Sequence, residues 1–243
     1  MIAYRGGLPM LSRRHFCCSG ALMASLLTIG RASADQCTVL TPEGQAALTP
    51  EDALAKLKAG NERFVSKTMR NCDLLAQVRA TASGQFPSAM IIGCIDSRVP
   101  PELVFDQRIG DIFSARIAGN IINDDIVGSS EFATKLSGAK LIVVLGHSEC
   151  GAIKGAVDDV EFGMLTGLLA RIKPAVEEAS KDWSGERTSK NKDFVQKVAT
   201  VNAELGAQKL TALSSVLREL VETKQLKIVS AMHDITTGQV TFQ

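Results

Sequence analysis

Three short runs, residues 89–94, 111–117 and 140–146, limit what this 243-residue chain can fold into. Each is largely apolar without strict alternation, which suits a strand covered on both faces, and such strands belong to parallel sheets. Segments of helical character separate them, at 101–105 and 126–136. That alternation is βαβαβ, which puts helices on both faces of the sheet and gathers functional groups at the carboxyl ends of its strands.

The flanking sequence is punctuated consistently with this. Thr49-Pro50-Glu51-Asp52 supplies an N-cap, a proline at the first helical position and first-turn acids, opening an amphipathic helix through Ala53, Leu54, Leu57, Phe64 and Val65. A second short helix is expected over 74–82, ended by Gly84, whereas 35–48 has no strong periodicity and reads as a loose lead-in. Residues 160–223 are largely helical. A polar, lysine-rich loop interrupts them from Trp183-Ser184-Gly185 to Asp193, and helices resume over 194–206 and 207–223. Residues 226–232 form another strand, and Thr236-Thr237-Gly238 turns into an edge strand at 239–242. The expected fold is one α/β domain over 35–243: a mostly parallel central sheet with flanking helices and an antiparallel C-terminal edge strand.

The N-terminus reads as an address. Ser12-Arg13-Arg14-His15-Phe16 has the twin-arginine form, followed by an apolar, small-residue stretch that ends in Ala32-Ser33-Ala34, the shape of a cleavage site. The apolar stretch is shorter than the roughly 18 to 20 residues a membrane span needs, and Gly20 and Ser25 interrupt it. Residues 1–34 are therefore expected to be a cleaved twin-arginine signal, giving a periplasmic protein without stable membrane insertion. Beyond the leader the chain carries 23 basic against 26 acidic residues, net −3, with no basic cluster of the kind nucleic-acid binding requires.

Of six cysteines, Cys17 and Cys18 fall in the leader; Cys37 and Cys72 either pair as a disulfide or remain thiols. Cys94 and Cys150 belong to two motifs at strand ends, Cys94-Ile95-Asp96-Ser97-Arg98 and Gly146-His147-Ser148-Glu149-Cys150-Gly151. Cys94, His147 and Cys150 together offer two thiolates and an imidazole, a ligand set used by catalytic zinc with one position open. Only three histidines exist and His15 lies in the leader, so a zinc site here has to recruit cysteine. Taken singly, both cysteines also fit as small buried hydrophobes and His147 as a core histidine. Asp96 and Arg98, two apart just beyond a strand, could form a structural salt bridge or an oriented carboxylate that accepts a proton.

At these residues the chain resembles the β-class carbonic anhydrases. The resemblance rests on C-x-D-S-R followed by V-P-P-E-L, on F-x-x-R-x-A-G-N over 113–120, on V-L-G-H-x-x-C-G-A-x-K-G-A around His147 and on the terminal D-I-T-T-G-x-V-T-F, and it extends over 49–243. It implies one zinc ion per chain on Cys94, His147 and Cys150, with Asp96 and Arg98 as a catalytic dyad and Asp96 as fourth ligand only in a closed state. It also implies reversible hydration of carbon dioxide to bicarbonate by a homodimer or assembly of dimers, with Gln85, Phe113, Phe132 and Gly151 as substrate-binding residues and Gln85 reaching across the dimer interface. Ile91, where one branch of the family has tryptophan, points to the branch with zinc open to water; Arg116 fits both. Phe132 stands where tyrosine is common and Arg108 where glycine is common, which leaves the loop around Arg108 undetermined. Two rivals fit the same residues: hydrolysis of carbon disulfide or carbonyl sulfide on this fold, and a purely structural zinc. His233 reads as a packing or pocket-rim residue.

Overall fold

Parallel pairing begins at β1 (Ala89–Gly93), which lies between β2 (Ile112–Arg116) and β3 (Leu141–His147) in the computed structural model, where residues 37–243 are described. β4 (Lys227–His233) joins β3 in parallel, and β5 (Val240–Phe242) closes the sheet antiparallel to β4. The strand order is β2-β1-β3-β4-β5. Every residue of β1 and β3 is buried, as their continuous apolar sequences require. The twin-arginine leader read over 1–34 lies outside the described residues, and no helix among those described is long and apolar enough to cross a membrane.

Helices cover both faces. Before the sheet come α1 (Pro42–Ala47), α2 (Pro50–Val65) and α3 (Leu74–Thr81); α4 (Pro101–Val104) and α5 (Asp124–Glu131) connect its first three strands. α6 (Gly151–Val157), α7 (Gly163–Ala170), α8 (Lys173–Ser180), α9 (Lys192–Leu213) and α10 (Ser215–Glu222) fill the interval between β3 and β4. Strand alternation divides the apolar residues into two layers. Met90, Ile92, Ile142 and Val144 pack with Phe194, Val198 and Leu217, whereas Ile91, Leu141, Val143 and Leu145 pack with Leu57, Phe105 and Val240.

Thr49 caps α2 in the expected way: its hydroxyl accepts from the Asp52 N–H at 3.1 Å while the Asp52 carboxylate accepts from the Thr49 N–H at 3.0 Å. Two expectations need correction. The lead-in is not wholly loose, because Thr41 caps α1 and Pro42 occupies its first turn, so a short helix forms without any apolar period. The break expected between residues 206 and 207 is absent. α9 runs through Gly206 to Leu213, and the chain breaks instead at Ser214, whose side chain caps α10 through the Leu217 N–H. Gly206 marks a close approach: a Cβ there would stand 3.1 Å from Val144 Cγ1, so the helix uses glycine to lie against β3. Helix α5 also continues as one π turn (Phe132–Leu136), within the expected 126–136 helix.

The loop after α4 is held by a buried carboxylate. Asp106 is fully buried with φ +47° and receives Arg63 Nε at 2.6 Å, Arg70 Nε at 3.3 Å and Arg108 Nη2 at 2.5 Å. Arg108 also donates to the Arg70 carbonyl, and its own N–H donates to Asp111 Oδ2 at 2.9 Å. The loop that the sequence left undetermined is thus built around Arg108, with the left-handed positions at Asp106 and Gly110. Burial alone pushes the Asp106 carboxyl up, but the Arg63 and Arg70 hydrogen bonds and the guanidinium charges together hold it below the usual carboxylate range. Stability from this ionised group is complete above about pH 4, the unfolded value, and is lost as pH falls through the lower folded value. Asp106→Asn should cost on the order of 3 kcal/mol at pH 7, measured by urea unfolding, and its deficit against the native sequence should shrink as the pH is lowered below about 4.

Candidate metal centre and active site

The register explains why the two motifs meet. β1 leads directly into Cys94, and Gly93 pairs with Leu145 of β3, so the adjacent strands deliver Cys94 and His147 to the same carboxyl end of the sheet. Glu149 then takes a left-handed turn (φ +58°), which swings Cys150 back to the N-cap of α6. The Cys94, His147 and Cys150 ligand atoms lie within 4.8 Å of one another, and all three residues are buried. Among the described cysteines, Cys94 and Cys150 are free, whereas Cys37 and Cys72 are disulfide-bonded.

The imidazole is prepared for ligation. His147 Nδ1 lies 2.9 Å from the Ser148 carbonyl oxygen; a carbonyl only accepts, so Nδ1 carries the hydrogen and Nε2 keeps its lone pair. Nε2 is buried and has no hydrogen-bond partner. Such an atom is costly to bury unless something takes its lone pair. Between the thiols the proton is held unequally. Cys94 is drawn down to about 4 by the Cys150 hydrogen bond against the effect of burial, with help from His147 and the N–H groups, while the same pair and burial push Cys150 up. A buried thiolate, a second thiol beside it and an unpartnered imidazole nitrogen fit a soft or borderline divalent cation such as zinc.

Asp96 faces the same point but is turned toward Arg98. Arg98 donates from Nε to Oδ1 at 2.9 Å, from Nη2 to Oδ2 at 2.7 Å and from its main-chain N–H to Oδ1 at 2.9 Å. These bonds keep the Asp96 carboxyl well below the usual carboxylate range despite some desolvation. Its Oδ2 remains 4.0 Å from His147 Nε2. Arg116 braces the loop from β2, donating from Nε to the Cys94 carbonyl at 2.8 Å and from Nη2 to the Asp96 carbonyl.

A cavity of about 230 Å³ opens over these groups, lined by Cys94, Ile95, Asp96, Ala118, Gly151, Ala152, Gly155, Leu165 and Leu169. Asp96 is its one carboxylate; apart from the Cys94 sulfur, the rest is apolar or small. Gly151 is among these lining residues. Gln85 does not meet the metal ligands within one chain: it is exposed in the loop before β1, at the opposite end of that strand from Cys94. Phe113 and Phe132 stack edge to face at 6.2 Å and line a separate groove of about 400 Å³ along the β2 edge. Ile91 is wholly buried in the smaller core layer. His233 pairs with His147 across β3 and β4 and is 3% exposed, a packed residue and not a rim one. Burial, followed by the neighbouring His147, lowers its pKa to about 4. Sequence reasoning gave no role to Arg116, Leu165 and Leu169; the apolar pair is readable only as part of a helical stretch, since nothing local says that the helix overhangs a strand end.

A model of the carbonic anhydrase family matches residues 89–240. Carbonic anhydrase 2 of Mycobacterium tuberculosis is 35% identical over 196 residues, spanning 78% of this chain and 91% of that protein. A carbonic anhydrase of Mycolicibacterium smegmatis is 38% identical over 133 residues, 52% of this chain and 65% of that one. Among solved structures, the β-carbonic anhydrase CafA of Aspergillus fumigatus superposes with a TM-score of 0.63 at 26% identity, covering 79% of this chain and 89% of that one. A β-carbonic anhydrase of Sordaria macrospora, described as tetrameric, gives 0.61 at 26% identity, with 78% and 95% covered.

The ligand geometry sets an expectation for metal binding. Wild-type protein should hold one zinc per chain after exhaustive dialysis, and Cys94→Ser, His147→Ala and Cys150→Ser should each fall below about a tenth of that. Asp96→Asn should keep its zinc; loss equal to that of the cysteine variants would make Asp96 a ligand.

Proposed function

The chain belongs to the carbonic anhydrase family, in its β class, and on that premise we propose that it catalyses the zinc-dependent, reversible hydration of carbon dioxide to bicarbonate and a proton, with Cys94, His147 and Cys150 as the metal ligands. The observation that carries the zinc assignment is the buried trio itself, within 4.8 Å, with His147 Nε2 left unpartnered. Bound there, zinc would supply the Lewis acidity that brings the ionisation of water into the neutral range.

The chain's own groups divide the remaining work. Asp96, fixed by two side-chain bonds and one main-chain bond from Arg98, presents an ionised oxygen to the attacking water and accepts its proton. Arg98 holds that carboxylate away from the metal ligands, which supports the open form of the site over the closed one in which Asp96 is a fourth ligand. Ile95, Ala152, Leu165 and Leu169 give the cavity an apolar wall that admits an uncharged, linear molecule without competing for its oxygens. His147 is held by the Ser148 carbonyl in the tautomer that turns the Nε2 lone pair toward the two sulfurs.

The same reading assigns Gln85, Phe113 and Phe132 to substrate binding from a second copy of the chain, because none of them lines the cavity over Cys94 in their own chain. The tetrameric description of the Sordaria protein supports an assembly of dimers. The twin-arginine leader supports export to the periplasm, and Arg13→Lys with Arg14→Lys should retain the chain in the cytoplasm, followed by cell fractionation.

Stopped-flow hydration of carbon dioxide by residues 35–243, with zinc and light-scattering mass taken on the same sample, tests the proposal. Activity at one zinc per chain, from a dimer or larger, is expected, and Asp96→Asn should lose about a hundredfold or more in kcat with its zinc retained. Full zinc without hydration, but with turnover of carbonyl sulfide, would reassign the substrate; full zinc with neither activity would make the metal structural.

A further inference from the structure

The turn Ala118–Asn120 lies against Cys94 and does more than connect β2 to α5. The Gly119 N–H donates to Cys94 Sγ at 3.3 Å, and the Gly119 carbonyl accepts from Asn202 Nδ2 at 2.8 Å. Asn202 is 7% exposed on α9, in the buried stripe formed by Val195, Val198, Ala199 and Gly206. An amide in such a stripe is costly unless it is satisfied, and this one spends a donor on the residue that touches the sulfur. Gly119 and Asn120 are both left-handed, at φ +67° and +42°, and a Cβ on Gly119 would stand 2.6 Å from Ile172 Cδ1. Only glycine fits, and glycine is also the residue freest to turn its N–H elsewhere. Two successive left-handed positions persist only where surrounding contacts fix them.

From this geometry we infer that Asn202 is a positioning residue for the metal centre: by pinning the Gly119 carbonyl it keeps the Gly119 N–H aimed at the Cys94 sulfur. The inference rests on the reading of Cys94 as a metal ligand. An N–H bond to a ligating thiolate draws electron density from the sulfur and limits how much charge it donates to the metal. A site with two thiolates depends on that restraint more than a site of three imidazoles does.

Cobalt(II)-substituted protein tests the relay, because the sulfur-to-cobalt charge-transfer band reports electron density on the thiolate. Asn202→Asp keeps the side-chain volume but, ionised, has no hydrogen to donate; Asn202→Ala removes the group altogether. Both should move the band to longer wavelength, and in the zinc forms both should lower kcat about tenfold at unchanged KM. Leu205→Ala, on the same helix and half-buried, should lower the Tm and leave the band in place. A band unmoved in both Asn202 variants would overturn the relay while leaving the metal site intact. A wild-type cobalt form without any thiolate charge-transfer band would overturn the metal site, and the relay with it.

Discussion

The buried pairing of β1 with β3 is the constraint from which the site follows. Parallel strands in register bring their carboxyl ends level, so Cys94 and His147, distant in sequence, finish side by side. Both strands are buried along their whole length, and a slip of one residue would turn each apolar set toward the wrong layer. The register that satisfies the core is therefore also the register that assembles the ligands. Cys150 needs no strand of its own, since the left-handed Glu149 returns the chain within three residues.

Around the sulfurs, charge is handled by short, directed bonds. Arg98 meets both carboxylate oxygens of Asp96 through the Nε/Nη2 edge of its guanidinium, and Arg116 holds the loop by its carbonyls, so two cations stand close to the site without occupying it. The Asp106 cluster lies on the α2–α4 side of the sheet and solves a different problem, fixing a left-handed loop by placing three guanidiniums on one carboxylate. Removing a partner leaves unpaired charge in either place, but only the first cluster faces the cavity over Cys94.

The strands were legible because continuous apolar runs have few alternatives, and the ligands because two cysteines and a histidine at strand ends are scarce in this composition. The N-cap at Thr49 and the proline after it are legible in the sequence and form as expected; the reciprocal bond from the Thr49 N–H to Asp52 is the structure's addition. Gly206 misled because glycine has two uses: it was read as a helix end, and it serves as the narrow point where α9 lies on Val144. α1 was missed because it depends on Thr41 and Pro42 and not on an apolar period. Asn202 gave one faint sign, a polar residue inside a buried helical stripe; its partner Gly119 lies 83 positions away, and no local pattern encodes that distance.

Sheet order has a bearing on how the chain assembles. Leu141 pairs with Ala89 across 52 positions but with Lys227 across 86, and all of the helical segment from α6 to α10 lies in the second interval. Loop-closure entropy is larger for the second pairing, though it grows only slowly with length, and non-local parallel pairings are slow to form. Cys94, His147 and Cys150 all precede the helices of that excursion, whereas α9 lies within it and β4 follows it. The ligands are thus encoded ahead of α9, whose Asn202 holds the turn that touches the Cys94 sulfur, and ahead of the two strands that complete the sheet.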